Sequence, residues 1–335
     1  MNWLNKNIQG ILMALLIALV AFWLGGKFPI IGGPVFGIII GILINNTVGK
    51  PKWSESGIRF TSKKILQWAI IVLGGSLSLA QVWNTGRESL SVMIFTLSIA
   101  FISAYGFGKL MGIPFNLTSL IGVGTAICGG SAIAAVSPII EADDKEISYS
   151  ISTIFFFNIM AVLIFPPLGH LLGFSDKAFG LWAGTAINDT SSVVAAGYAF
   201  SSTAGDFATI VKLTRTTMII PISIIFAVSM WLKKRNTKAG EKSVNYSLIS
   251  IFPWFIVGFI LTSLLNTLGI FSGSAVSFLS ALGKFLIIMA LTAVGLNTDF
   301  RKILQTGLKP LFLGMIVWFS VAIVSIAVQM FTGQI

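Results

Sequence analysis

Residues 122–135 read GVGTAICGGSAIAA, and residues 184–197 read GTAINDTSSVVAAG. Both carry Gly-Thr-Ala-Ile, then a polar or glycine-rich trio, then serine and a run of small residues. Each lies within an apolar stretch, at 118–140 and 178–200, of the length that spans a bilayer as a helix. Glycine costs about 1 kcal/mol per residue in a helix interior relative to alanine. Gly122, Gly124, Gly129 and Gly130 therefore make a poor continuous helix, and Gly129-Gly130 falls near the middle of its stretch. Small residues at membrane depth serve close helix packing, or an unwound segment whose free backbone groups face a cavity. The central position favours the break. In the second stretch Asp189 also lies near the middle, flanked by Asn188, Thr190, Ser191 and Ser192. A charge there costs at least about 2.5 kcal/mol on insertion scales. No lipid-facing surface tolerates that cluster. What remains is a carboxyl group hydrogen-bonded to a neighbouring helix, or a substrate, ion or proton site.

The surrounding chain is of one kind. Of its 335 residues 55% are hydrophobic and 10% charged, with a mean hydropathy of +0.92. Soluble domains carry about a quarter charged residues. The apolar residues form eleven runs, near 8–25, 29–47, 66–84, 90–110, 118–140, 148–171, 178–200, 207–231, 249–270, 275–297 and 309–332. The alternating segments of about 10 residues that build a membrane barrel are absent. The expected fold is an all-α polytopic membrane protein of about 11 transmembrane helices in a single domain, 1–335. The first run follows Lys6 without a small-x-small cleavage pattern after it, so a retained helix is expected rather than a leader.

Net charge is +11, but the basic residues gather in short loops, which reads as membrane topology rather than nucleic-acid binding. With eleven crossings, one side holds Lys6, Lys50, Lys52, Arg59, Lys63, Lys64, Lys109 and Lys177. It also holds Lys233, Lys234, Arg235, Lys238, Lys242, Arg301, Lys302 and Lys309, sixteen in all. The other side holds three: Lys27, Arg87 and Lys145. This asymmetry places the N-terminus in the cytoplasm, the C-terminus outside and the protein in the cell membrane. A single cysteine, Cys128, and a single histidine, His170, exclude a disulfide framework and argue against structural zinc. There is no Gly-x-x-x-x-Gly-Lys-Ser/Thr loop and no His-Glu-x-x-His, so no enzyme, cofactor or metal is expected.

An internal repeat is also legible. LGGSLSLAQVWNTG at 73–86 resembles VGLNTDFRKILQTG at 294–307, with Gly74 matching Gly295 and Thr85-Gly86 matching Thr306-Gly307 at an offset of 221. Gly37 matches Gly258 at the same offset, within VFGIIIGILINNTVG and FIVGFILTSLLNTLG. The matched stretches, about 29–110 and 249–332, run in opposite directions through the expected topology, the mark of an inverted repeat.

The candidate site follows from depth and chemistry. If both central helices break, half-helix N-termini point into one cavity, each carrying roughly half a positive charge. Thr125, Gly129, Gly130, Ser131, Asn188, Thr190 and Ser191 would line it, with Cys128 as a small neighbour and Asn158 from the next run. Arg215 or Lys284 could add a full positive charge, and Asp189 a coupling ion or proton. Lys212, Arg215 and Lys284 lie at depths from which long basic side chains also snorkel to the interface. His170, after Pro166-Pro167 at a run's end, reads as interfacial.

The pairing of GTAICGGSAIAA with GLWAGTAINDTSSVVAAG, between helices of this order, resembles the bacterial family of proposed sulfate exporters, the YeiH-like proteins. The resemblance spans essentially the whole chain. It implies kinship with the sodium/proton antiporter and bile-acid symporter superfamily, whose Gly-Leu-x-x-x-x-Asp-Phe stretch is similar to GLNTDFRKIL at 295–304. It further implies a panel-and-core transporter with two discontinuous helices crossing in opposite directions. Counting spans makes the two Gly-Thr-Ala-Ile helices parallel, so either a span between 140 and 180 is miscounted or the second repeat is permuted. Members of the family often have His-Asp where this chain has Asn188-Asp189, which puts a histidine proton relay in doubt.

The expected function is secondary active transport of a small anion, sulfate-like or organic, coupled to H+ or Na+. The alternatives are a cation/proton antiporter using Asp189 and a non-transporting membrane scaffold. The partners are the lipid bilayer, the anion and the coupling ion, with no nucleic acid and with a homodimer as an option.

Overall fold

A computed structural model describes residues 3–28, 31–236, 253–301 and 306–335. The basic positions Lys238, Lys242 and Lys302, the start of the ninth run at 249–252, and part of the 294–307 match lie outside the described residues. The described chain is helical throughout, with no strand among those residues. Among the described residues six helices are long and apolar enough to cross a membrane: Asn7–Lys27, Leu79–Leu110, Asp144–Leu171, Ser202–Leu232, Gly273–Asn297 and Leu308–Phe331. Gly32–Thr47, Phe115–Ala126 and Trp254–Thr267 are shorter apolar helices.

In chain order, α1 (Trp3–Lys27) and α2 (Gly32–Thr47) form an antiparallel pair. Next, α3 (Glu55–Phe60) passes through a π turn (Thr61–Ile65) into α4 (Leu66–Gly74) without leaving helical geometry. Ser78 and Gln81 form a capping box that starts α5 (Leu79–Leu110), satisfying amide donors a helix leaves free at its start. Four short helices and one long one follow: α6 (Phe115–Ala126), α7 (Gly130–Val136), α8 (Asp144–Leu171), α9 (Asp176–Ala186) and α10 (Thr190–Phe200). Then come α11 (Ser202–Thr216), α12 (Ile219–Asn236), α13 (Trp254–Thr267), α14 (Gly273–Asn297) and α15 (Leu308–Phe331).

Two groups pack against each other. In the first, α2 lies parallel on α14, and α4 packs on α13, because glycines let the backbones touch: a Cβ on Gly295 would overlap Ile38 O and Gly41, and one on Gly74 would overlap Phe259 O and Thr262. Asn297 accepts from Lys50 Nζ at 2.8 Å, and Asn45 and Asn46 donate to Thr298 O, tying the two helices at the basic end of the molecule. The second group is the main apolar core, built from α5 to α12 and α15, where Phe165 stacks on Trp182 at 4.0 Å. An apolar layer of Val35, Ile38, Val194, Ala195, Ile287 and Leu291 joins the groups.

The two interrupted helices do not run straight on. Asn116, at the start of α6, donates to Glu146 in the first turn of α8 at 3.3 Å, so α6 and α7 together return to the end they left. Likewise Ser201, just after α10, donates to Asp176 at the start of α9 at 2.7 Å, and Phe200 stacks on Phe179 at 4.0 Å. The expectation of two straight broken spans at 118–140 and 178–200 is therefore corrected: each is a hairpin, α6–α7 and α9–α10. The reason is local. Ile127 leaves helical geometry, and Gly129, at φ 67°, turns the chain back; left-handed backbone of that kind is open to glycine at little cost. The outer end of the second hairpin is fixed by Ser175 and Ser201, which N-cap α9 and α11.

Candidate functional site: two hairpin tips and a pair of buried cations

Helix α8 is the ruler for the site. Its first turn touches the open end of α6–α7, and Ile154 lies against Gly124 near that hairpin's tip. Asn158 accepts from the Asp189 N–H at 3.1 Å at the tip of the other hairpin, and His170 stacks on Phe200 at that hairpin's open end. The two hairpins thus enter from opposite ends of α8 and meet tip to tip. A Cβ on Gly129 would lie 3.4 Å from Asp189 Cβ. Antiparallel insertion removes the conflict between parallel spans and the crossing that the resemblance implied.

Each tip exposes a helix C-terminus, whose last carbonyls have no partner within the helix. Lys212 and Arg215 supply them. They sit at i and i+3 on α11, hence on one face, and both are fully buried. Arg215 donates to Ala126 O at 2.5 Å, to Thr125 O at 2.7 Å and to Thr185 O. Lys212 donates to Ile127 O at 2.7 Å and Ile187 O at 2.9 Å. One face of one helix therefore caps α6 and α9 together, placing cations at the negative ends of two helix dipoles.

Opposite these, Asp189 N-caps α10, accepting from Ser191 N at 2.9 Å and from the Ser191 hydroxyl. Asp189 and Gly130 are half-buried and Ser131 is exposed, so the tips can be reached. Behind them lie polar atoms without a hydrogen-bond partner among the described residues: Thr125 Oγ1, Thr153 Oγ1, Asn158 Nδ2 and both side-chain polar atoms of Asn188. All four residues are at most 2% exposed. Buried polar groups are normally paired, so Asn158 and Asn188 beside the Asp189 cap, with Thr125 at the end of α6, mark a position shaped for something polar, while Thr153 faces Gly314 on α15.

Of the residues singled out from sequence, Thr125, Cys128, Gly129, Gly130, Ser131, Asn158, Asn188, Asp189, Thr190, Ser191 and Arg215 converge at the tips. Lys284 does not. It lies midway along α14, bonded to Ser202 Oγ at 3.1 Å. Arg215, one of two candidates for a full positive charge at the site, has its guanidinium bonded to three backbone carbonyls. Lys212 belongs with it, and its i, i+3 spacing from Arg215 was the available signal. Among the described residues no group of three or more His, Cys, Asp or Glu side chains could hold a metal ion.

Fold and site together define a polytopic, all-helical membrane protein whose core is two opposed hairpins clasped by one helix. The chain belongs to the family described as Conserved hypothetical protein 698, whose profile matches residues 9–314. It is 47% identical over 350 residues to a UPF0324 membrane protein of Fusobacterium nucleatum, covering 98% of this chain and 99% of that one. A UPF0324 membrane protein of Clostridium tetani is 44% identical over 345 residues, the whole of both chains. One from Streptococcus pyogenes is 45% identical over 335 residues, 98% of each.

Proposed function

We propose that this chain is an ion-coupled secondary transporter of a small anion, sulfate-like or organic, and not an enzyme, with its substrate site at the hairpin tips. One observation carries the reading: opposed hairpins meet at unpartnered buried polar groups beside two buried cations and one carboxylate. The dipole ends offset one another there, two helix C-termini against two N-termini. Lys212 and Arg215 against Asp189 leave one positive charge in excess. Holding such a charge at bilayer depth is costly, and a bound anion offsets it. The Ser131 hydroxyl and the unpartnered Thr125 and Asn188 groups suit an oxyanion. This favours the anion over cation/proton antiport, and a scaffold would have no use for unpartnered buried groups. Asp189 opposes the anion unless a proton or Na+ accompanies it, which couples the two fluxes.

The same reading sets the topology at nine crossings and two re-entrant hairpins, in a single domain in the cell membrane. Relative to eleven crossings, Lys145 and Lys177 exchange sides, so the basic residues remain sixteen to three and the N-terminus cytoplasmic. An inverted repeat is supported by matched contacts. Gly74 meets Phe259 and Thr262, and Gly295 meets Ile38 and Gly41, each pair related by the offset of 221. The resemblance to sulfate exporters and to the panel-and-core superfamily accords with this reading.

The test is flux in proteoliposomes holding sulfate or small carboxylates under an imposed pH or Na+ gradient. Asp189→Asn keeps the cap acceptor and removes the charge, so insertion persists while gradient-driven anion flux falls at least about tenfold. Proton-coupled cation flux with no anion dependence would select the antiporter. No flux of either kind would leave the scaffold.

A further inference from the structure

Away from the tips, a cavity of about 710 Å³ opens at the end opposite the basic one, lined by Ser76, Asp206, Ser277, Ser280, Lys284 and Phe285 among others. It lies between the two packed groups: Asp206 comes from α11, the serines at 277 and 280 and Lys284 from α14. On α10, Val194 and Ala195 pack with Ile287 and Leu291 between this cavity and Asp189, so it is separate from the tip site.

Asp206 and Lys284 face the same space with opposite charges, yet they do not form an ion pair. Tyr198 stands between them. Its hydroxyl donates to Asp206 Oδ1, and its ring centroid lies 5.5 Å from Lys284 Nζ. Lys284 instead donates to Ser202 Oγ at 3.1 Å. Two unlike charges in a shared cavity, held apart and flanked by hydroxyls, suit neither a simple anion nor a simple cation. A lone anion meets the repulsion of Asp206, and a lone cation that of Lys284. A small molecule carrying both charges satisfies both, with the hydroxyls completing the ligand's hydrogen bonds.

We propose that this cavity binds a small zwitterion of the amino-acid class, its carboxylate toward Lys284 and the serine hydroxyls, its ammonium toward Asp206. The site does not depend on the transport reading, and binding is measured without a gradient. The experiment is calorimetric titration of the purified full-length protein in detergent with glycine and β-alanine. Acetate and methylammonium serve as single-charge counterparts. At least one zwitterion binds about tenfold or more tighter than either counterpart. Asp206→Asn and Lys284→Gln each weaken it about tenfold while the thermal midpoint holds. Asp189→Asn leaves it unchanged. Acetate binding as tightly as glycine, with Asp206→Asn harmless, would make this a plain anion site and overturn the proposal. So would the absence of binding by both zwitterions, or a loss of binding in Asp189→Asn.

Discussion

Replacing Arg215 with alanine removes the donors of three buried backbone carbonyls: Thr125, Ala126 and Thr185. None of the three has a helical partner, because α6 ends at Ala126 and α9 at Ala186. An orphaned buried acceptor costs about 1–3 kcal/mol in water-soluble proteins, and hydrogen bonds between membrane helices average about 0.6 kcal/mol. Three carbonyls therefore bracket the loss at roughly 2–9 kcal/mol. In detergent this lowers the thermal midpoint by roughly 10 °C. Arg215→Lys recovers only part, since one ammonium cannot reach carbonyls on two helices with the fork a guanidinium provides. Lys212→Met destabilises similarly, and the two losses combine non-additively because both cations bind the same tips. The assay is intrinsic fluorescence on heating, with size-exclusion profiles to confirm a monodisperse start. An Arg215→Ala midpoint within about 2 °C of the parent would refute the view that the clasp holds the hairpins.

Three further outcomes are expected. Cysteines at Lys145 and Lys177 in a Cys128→Ser background report the hairpins: position 177 is labelled by an impermeant thiol reagent in intact cells and position 145 is not, whereas straight spans give the reverse. Gly129→Ala forces a side chain into left-handed backbone at φ 67°. It lowers stability by about 1–2 kcal/mol, read as a fall in the midpoint, while Gly130→Ala, with nothing within 4 Å of the added methyl, leaves it unchanged. Gly74→Leu and Gly295→Leu each pry apart a backbone-to-backbone contact and reduce the folded fraction on size exclusion; monodisperse protein from both would undo the packing argument.

The position of both breaks was legible in the sequence because it rests on residue types whose local cost is known: Gly129-Gly130 and Asn188-Asp189 stand where no helix interior wants them. The hairpin shape was not. A run such as 118–140 has the length and hydropathy of a crossing, and what bends it back is a glycine dihedral together with contacts distant in sequence, such as Asn116 with Glu146 and Ser201 with Asp176. The close contacts at Gly74 and Gly295 were legible, since close backbone approach leaves glycine little alternative. The cations were found, but their backbone partners were not. From sequence an embedded arginine is a charge looking for a ligand, while in the folded chain its ligands are the ends of two helices.

The clasp also has a consequence for biosynthesis. The carbonyls at Thr125, Ala126 and Ile127 emerge from the ribosome 85 to 90 residues before the side chains that bond them. Until α11 arrives, the first hairpin holds an uncapped helix end at its tip. A nascent chain arrested before Lys212 should therefore keep that hairpin loose or shielded by the insertion machinery, and one released after Thr216 should lock it. The order of assembly is set by where on the chain its two innermost cations are encoded.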